Sequence, residues 1–194
     1  MQLTNEQSRI AQELIDRPFV ALWADMGAGK TAVTLTAVFA LLQEGKIDRA
    51  IVVAPRAVAN DTWTSEAAKW FGDALRVVVL MGDQNARIRA RNEQAHIYTI
   101  GRDGVAKKGT GEASDDLIAI AGDASRALLI VDEASSIKNP SSNRFKALKA
   151  IQWGRVIELT GTPAPQSLAD VWAQIYLLDR GKALGRNISA FRRA

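Results

Sequence analysis

The residues with the clearest chemical potential lie in one glycine-rich stretch near the N-terminus. It reads Asp25-Met26-Gly27-Ala28-Gly29-Lys30-Thr31. An apolar run at 19–23, which predicts a buried strand, precedes it, and a helical pattern from about residue 31 to residue 44 follows it. Glycines between a strand and a helix, ending in Lys-Thr, are typical of a loop that binds the phosphates of a nucleotide.

The residue types in this stretch fit that chemistry. Gly27 and Gly29 let the backbone approach a phosphate closely and adopt positive φ. Lys30 can reach the β- and γ-phosphates, and the Thr31 hydroxyl can ligate Mg²⁺. Ala24 occupies the place where the strict pattern has its first glycine. The alternative, a glycine-rich turn that binds nothing, therefore stays open on the loop alone.

A pair of acids provides the second candidate site. Asp132 and Glu133 follow an apolar run at 127–131 that predicts a strand. Asp132 can hold Mg²⁺ directly or through water, and Glu133 can orient or deprotonate an attacking water. The alternative is that acids are simply favourable at a helix N-terminus. The phosphate-binding pattern upstream favours the catalytic interpretation.

Two further strand ends carry polar or basic residues. Pro55 and Arg56 follow an apolar run at 50–54, and Thr160-Gly161-Thr162 follow a run at 155–159. In open α/β sheets, ligands bind beyond the carboxyl ends of the strands, so these residues should meet the glycine-rich loop at one edge. The two threonines could sense a γ-phosphate, or they could be ordinary turn residues.

The order of the predicted elements defines the fold class. Strands alternate with helices along the whole chain, which predicts an α/β fold with a mostly parallel sheet covered by helices on both faces. The predicted strands lie at 19–23, 50–54, 76–81, 97–100, 127–131 and 155–159, and the predicted helices at 4–16, 31–44, 58–71, 85–93, 115–121, 142–151 and 167–178. Residues 101–116 predict a loop or a short broken helix, because glycine and polar residues dominate there.

The first predicted helix gives Gln7 two competing roles. Thr4 and Gln7 have the three-residue spacing of a capping box, in which each side chain satisfies a backbone amide at the helix start. A glutamine amide can also read the edge of an adenine ring. Spacing alone favours the cap.

Composition excludes several classes of function. The 194 residues predict one domain, with 47% apolar and 24% charged residues and a net charge of +4, which permits an anionic partner. Cysteine is absent, so disulfides, thiolate zinc sites and cysteine nucleophiles are excluded. We expect no secretion signal, no membrane span and a cytoplasmic location in a bacterium or a phage-infected cell.

Taken together, these motifs resemble those of the first RecA-like lobe of superfamily-two (DEAD/DEAH-box type) helicases and translocases, and most of all the Swi/Snf-like branch, in phage or bacterial form. The segment 25–31 resembles motif I, and 51–55, followed by Trp63, Glu66, Lys69 and Trp70, resembles motif Ia. Residues 132–135 resemble motif II, with the Ile137-Lys138-Asn139 that is typical of the branch, and 159–163 resemble motif III. Ser135 departs from the histidine or aspartate of many relatives.

The resemblance implies a RecA-like P-loop NTPase that uses ATP and Mg²⁺ and acts on DNA rather than RNA. It implies that Lys30, Asp132 and Glu133 are catalytic and that Thr31 and Asp132 hold Mg²⁺. The implied ATP-binding residues are Gln7, Met26, Gly27, Ala28, Gly29, Lys30 and Thr31. The implied coupling residues are Thr160, Gly161 and Thr162, and the implied nucleic-acid contacts are Pro55, Arg56 and Thr99.

The resemblance also implies that the chain is part of a two-lobed motor. We expect residues 1–179 to form the ATP-binding lobe and 180–194 to be a basic linker or tail toward a second RecA-like lobe, which would carry the arginine finger. We expect this lobe alone to be monomeric and to hydrolyse ATP weakly or not at all. Two alternatives remain: a phage packaging-motor ATPase domain, and an interaction module that binds nucleotide without hydrolysing it.

Overall fold

The fold is built on one six-stranded sheet. A computed structural model describes residues 2–162 and 169–193. The strands are β1 (Phe19–Trp23), β2 (Arg49–Ala54), β3 (Val77–Leu80), β4 (Ile97–Gly101), β5 (Ala127–Asp132) and β6 (Arg155–Thr160). Their order is β1-β6-β5-β2-β4-β3, and every neighbouring pair is parallel. The predicted parallel α/β sheet is confirmed.

Helices cover both faces of the sheet. They are α1 (Asn5–Asp16), α2 (Lys30–Gln43), α3 (Trp63–Phe71), α4 (Gln84–Asn92), α5 (Asp115–Ala121), α6 (Asn143–Ala150), α7 (Ala169–Asp179) and α8 (Ile188–Phe191). Most bounds fall within two residues of the sequence-based ones. Residues 167 and 168, where the prediction started the α7 helix, lie outside the described residues.

The core is divided into two apolar clusters by the sheet. One contains buried residues of α1, α2 and α3, and the other contains buried residues of α5, α6 and α7. Along β6 the side chains alternate between them, with Val156 in the second cluster and Ile157 in the first. Strand β5 is buried throughout, as expected for a central parallel strand.

One predicted helix differs from the observed structure. Residues 58–71 were expected to form a single α-helix, but Val58–Thr62 form a π-helix before α3 begins at Trp63. The Thr99 hydroxyl donates to the Ala59 carbonyl at 2.7 Å, which stabilises this wider turn from strand β4. Apolar periodicity cannot reveal such a turn, because its cause is a contact with another strand.

Two segments outside the main elements pack onto the domain. Residues 102–114 contain a 3₁₀ turn at Arg102–Gly104 and a short antiparallel bridge between Ala106 and Ala113. Near the C-terminus, the Arg180 guanidinium donates to the carbonyls of Lys149 and Ile151. Leu184, Ile188 and Phe191 pack against the cluster that contains α7.

Within 2–162 and 169–193, no helix is both long and apolar enough to cross a membrane.

Candidate nucleotide-binding site

The glycine-rich loop connects β1 to α2, as the sequence predicts. Gly27 and Gly29 both have φ of +83°, a left-handed conformation that non-glycine residues adopt at a cost. Gly29 is the N-cap of α2, so the amides of the first helical turn face the loop without intrahelical partners. These amides and the helix dipole favour an anion at this position.

Lys30 lies folded back onto its own loop. Its Nζ donates to the Ala24 carbonyl at 2.7 Å and to the Asp25 carbonyl at 2.9 Å. Thr31 follows in the first turn of α2 and is half-buried. Met26 and Ala28 are exposed at the tip of the loop, and Met26 is 89% exposed. The lysine ammonium therefore lies at the loop, where two backbone carbonyls are its acceptors.

Gln7 performs the predicted cap and also contacts the loop. Its Oε1 accepts from the Thr4 amide at 3.0 Å, and the Thr4 hydroxyl accepts from the Gln7 amide at 3.2 Å. Its Nε2 donates to the Ala28 carbonyl at 3.3 Å. A Cβ at Gly29 would lie 2.5 Å from this Nε2. The side chain is thus held beside the loop by the helix cap.

Asp132 is the most constrained carboxylate of the site. Its Oδ2 accepts from the Trp63 indole Nε1 at 2.9 Å, and its Oδ1 accepts from the Glu133 amide at 3.0 Å. Burial raises the pKa of Asp132, while the Trp63 and Glu133 hydrogen bonds and the Lys30 charge act in the opposite direction. Asp132 is therefore oriented by two donors and lies within the electrostatic influence of the loop lysine.

Glu133 has a strained backbone. Its φ of +55° and ψ of +59° are left-handed, a conformation that costs about 1–2 kcal/mol for an ordinary residue. Only one other described non-glycine residue, Arg180, has positive φ. Such strain concentrates at functional sites, and here it turns the chain sharply after β5 into the 3₁₀ turn Ala134–Ile137.

The threonine segment after β6 lies beside the glycine-rich loop, because β6 pairs with β1 up to the end of both strands. The Ala24 amide donates to the Thr160 carbonyl at 3.1 Å, and Thr160 pairs with Trp23 across the sheet. The Thr162 amide donates to the Thr160 hydroxyl at 3.1 Å, and Gly161 lies close to the Ala24 carbonyl. Pro163, the last residue of the predicted motif, lies outside the described residues.

Two of the three candidate nucleic-acid residues, Pro55 and Arg56, lie beside a surface groove. Pro55 and Arg56 lie beyond the end of β2, next to Gly101 at the end of β4, and Arg56 is exposed. Arg56 lines a groove of about 580 Å³. In the described part of the chain, the groove has four other basic residues, Arg87, Arg91, Lys107 and Lys108, and three acidic ones, Asp103, Asp115 and Asp116. Asp116 pairs with Arg87 and Arg91, and Asp115 pairs with Lys107.

The structure contradicts the nucleic-acid contact expected for the Thr99 side chain. Its side chain is 0% exposed and its hydroxyl is bonded to Ala59, so it cannot contact nucleic acid. The rule for parallel sheets applies to residues beyond a strand end, and Thr99 is in the middle of β4.

Sequence reasoning missed two residues. Trp63 was matched to the pattern that follows motif Ia and was given no role in the site, yet its indole N–H donates a hydrogen bond to Asp132. Glu158 is fully buried in β6, and neither carboxylate oxygen has a hydrogen-bond partner among the described residues. Glu158 could have been found from the sequence, because it is a glutamate inside an otherwise apolar run. Nothing local in the sequence marks the role of Trp63.

The residues present fit a nucleotide-bound magnesium ion. Within 2–162 and 169–193, no group of three or more His, Asp or Glu residues could enclose a metal. Mg²⁺ does not require such a cage, because it keeps several waters and takes one or two protein oxygens together with substrate phosphates. Thr31, at the loop after β1, and Asp132, at the end of β5 two strands away, would supply those oxygens.

A parallel sheet whose first strand enters a glycine-rich loop, with an acidic pair at a nearby strand end, defines a RecA-like P-loop domain. A sequence profile described as "SNF2-related domain" matches residues 20–192. The chain therefore belongs to the SNF2-related family, and the resemblance to the first lobe of the Swi/Snf-like branch is confirmed.

The relatives agree with this assignment. "Putative protein p41" of Acyrthosiphon pisum secondary endosymbiont phage 1 is 35% identical over 95% of this chain. The human "DNA repair and recombination protein RAD54-like" is 23% identical over 81% of it. A structure described as "Sulfolobus solfataricus SWI2/SNF2 ATPase core in complex with dsDNA" superposes with a TM-score of 0.80 and 25% identity over 100% of this chain.

All three relatives are longer than this chain. The matched region spans 41% of the phage protein, 22% of the human protein and 38% of the Sulfolobus chain. The similarity thus identifies this chain with one lobe of an SNF2-family ATPase core.

Proposed function

We propose that this chain is the ATP-binding lobe of a DNA-dependent ATPase and translocase. The observation that carries the proposal is the convergence of three motifs at the carboxyl ends of consecutive strands in the sheet order β1-β6-β5. The glycine-rich loop follows β1, the threonine segment follows β6, and the acidic pair Asp132-Glu133 stands at the end of β5. A ligand that lies beyond these strand ends would meet all three motifs.

The loop residues would bind the triphosphate of ATP. The amides at the start of α2 would donate to the phosphates, and Lys30 would exchange its loop carbonyls for phosphate oxygens. Gln7, whose Nε2 already lies beside the loop, would donate to the adenine or remain on the loop as a sensor of its position. Thr31 and Asp132 would hold Mg²⁺, which when bound neutralises the phosphate charge.

Glu133 would orient the attacking water and accept its proton. Its left-handed backbone turns the chain away from the axis of β5, and its side chain is only half-buried. A carboxylate at this position can accept a water hydrogen without being a metal ligand. The two adjacent acids would then have separate roles, with Asp132 on the metal and Glu133 on the water.

DNA would bind beyond the carboxyl ends of β2 and β4, at the same edge of the sheet as the glycine-rich loop after β1. Arg56 and Lys108 offer charge to phosphates at this groove, whereas Arg87 and Arg91 are paired with Asp116 and Lys107 is paired with Asp115 and Glu112. Contacts to phosphates without base contacts suit a protein that tracks a nucleic-acid backbone. The dsDNA in the description of the Sulfolobus structure supports duplex DNA as the substrate.

The active motor would need a second lobe. The relatives are two to five times as long as the matched region. An arginine finger supplied in trans raises the rate of related phosphoryl-transfer reactions roughly 10³–10⁵-fold. We assign 1–179 to the ATP-binding lobe and 180–194 to the connection toward the other lobe. This chain alone should therefore bind Mg-ATP and turn it over slowly.

ATP turnover with and without duplex DNA tests the proposal. We expect Mg-ATP binding that Lys30→Ala weakens by at least about tenfold, with slow turnover that DNA barely changes. No nucleotide binding by a folded chain would refute the proposed function. A large DNA stimulation of the chain alone would keep the ATPase but refute the dependence on a second lobe.

A further inference from the structure

We propose that Trp63 is a positioning residue of the magnesium site, through the hydrogen bond from its indole N–H to Asp132. This inference rests on the proposed function, because it assigns Asp132 to the metal. It adds a residue from a different element, 69 positions away in sequence. It also explains why a π-helix and a buried threonine lie next to the site.

The first argument is the geometry of the carboxylate. Among the described residues, each Asp132 oxygen has one donor, the Trp63 Nε1 on Oδ2 and the Glu133 amide on Oδ1. The plane of the carboxylate is therefore fixed from two sides, and each oxygen retains lone-pair capacity for a metal or a metal-bound water. Partners of this kind around a ligand commonly change metal affinity by 10–100-fold when they are removed.

The second argument is the rigidity of the indole. Trp63 is 0% exposed and belongs to the apolar cluster between the sheet and helices α1 to α3. A buried Trp usually finds a partner for its N–H, and here that partner is the one carboxylate proposed as a ligand. A packed ring can hold a carboxylate orientation that a flexible surface donor could not.

The third argument is the way the chain enters Trp63. The π-helix Val58–Thr62 comes directly before it and is wider than an α-helix, because its hydrogen bonds join residues five positions apart instead of four. The Ala59 amide donates to the Pro55 carbonyl at 2.8 Å, and the Ala59 carbonyl accepts from Thr99. Strand β4 thus holds the turn that sets the direction of the indole. Thr99 takes this role in place of the nucleic-acid contact first expected for it.

Trp63→Phe tests the inference, because it keeps a buried aromatic ring and removes only the N–H and part of the volume. Binding of a non-hydrolysable ATP analogue is titrated calorimetrically against Mg²⁺ concentration. We expect the Mg²⁺ concentration for half-maximal binding to rise about tenfold. Affinity for the same analogue in EDTA should stay within about twofold, because only the metal ligand loses its orientation.

Trp70→Phe is the matched control. Trp70 lies on the same helix, and its indole N–H also donates to a carboxylate, that of Glu66, at 3.0 Å. We expect the wild-type Mg²⁺ dependence from this variant. A folded Trp63→Phe protein with the wild-type Mg²⁺ dependence would overturn the inference, as would an equal shift in Trp70→Phe.

Two further variants keep the test decisive. If Trp63→Phe does not fold, Thr99→Val removes the hydroxyl that holds the π-helix, and we expect a shift in the same direction. A wild-type Mg²⁺ midpoint in folded Thr99→Val would then overturn the inference. In an Asp132→Asn background, Trp63→Phe should not raise the Mg²⁺ midpoint further. A full additional increase would show that Trp63 does not act through Asp132 and would refute the inference. Wild-type protein whose nucleotide binding ignores Mg²⁺ would overturn both the inference and the proposed magnesium site.

Discussion

The ammonium of Lys30 lies 2.7 Å from the carbonyl oxygen of Ala24, so the lysine is bonded to the loop from which it projects. This contact stabilises the loop before nucleotide is bound. It also means that phosphate binding must be more favourable than the two carbonyl bonds it replaces.

Replacement of Lys30 with alanine should weaken ATP binding by at least about tenfold, since a charge-assisted bond to phosphate contributes roughly 1.5–3 kcal/mol. The same change removes two carbonyl contacts and should cost about 1 kcal/mol or less of stability. Calorimetric nucleotide titration and thermal unfolding measure the two effects. Lys46→Ala, near the other end of α2 and paired with Glu44, is the control and should bind as wild type. Equal affinity in the two variants would contradict the assignment of Lys30.

Gln7 allows its two roles to be separated by one substitution. In Gln7→Glu the Oε1 acceptor for the Thr4 amide remains, so the capping box is kept, but the Nε2 donor to Ala28 is removed. We expect unchanged stability within about 0.5 kcal/mol and reduced ATP affinity. Gln7→Ala should lose about 1 kcal/mol of stability as well. Full ATP affinity in both variants would leave Gln7 as a helix cap only.

Glu133 separates an ATPase from a module that only binds nucleotide. In Glu133→Gln the side chain keeps its size and loses its basicity, so ATP should bind normally while turnover falls by about 10²-fold or more. Stability should be nearly unchanged, because glutamine bears a similar cost in the left-handed backbone. Glu66→Gln on α3 is the control and should hydrolyse ATP at the wild-type rate. Hydrolysis that survives in Glu133→Gln would remove Glu133 from the catalytic role.

Much of this structure could be predicted because its signals are local. The strands are mostly apolar runs, several of them rich in β-branched residues, and the glycine-rich loop is marked by Gly27 and Gly29, which the structure shows with positive φ. The bond between Trp63 and Asp132 could not be predicted, because it joins residues that only the folded sheet brings together. Thr99 was misassigned for a related reason. Its role depends on a π-helix that strand β4 itself stabilises.

Substitution of Arg56 tests the proposed DNA-binding site beyond the end of β2. It is exposed beyond β2, so Arg56→Ala should not affect folding, yet it should weaken binding to duplex DNA of any sequence. The slope of log affinity against log salt should decrease in magnitude by about 1, as expected for one lost phosphate contact. Arg17→Ala is the control, because Arg17 precedes β1 at the opposite edge of the sheet and pairs with Glu13. Equal salt slopes for wild type and Arg56→Ala would place the DNA elsewhere.

Glu158 should make stability depend on pH. Burial without a partner among the described residues raises its pKa well above the usual value, so the folded state holds its proton where the unfolded chain has lost it. Stability is therefore highest below the unfolded pKa of about 4.5 and decreases as pH rises toward the folded pKa. Glu158→Leu removes the buried polar group and should stabilise the fold by roughly 1–3 kcal/mol at neutral pH. Thermal unfolding of both proteins from pH 4 to 8 measures the difference, which should increase with pH. A constant difference, or a less stable variant at neutral pH, would mean that the Glu158 carboxylate is compensated in the folded protein.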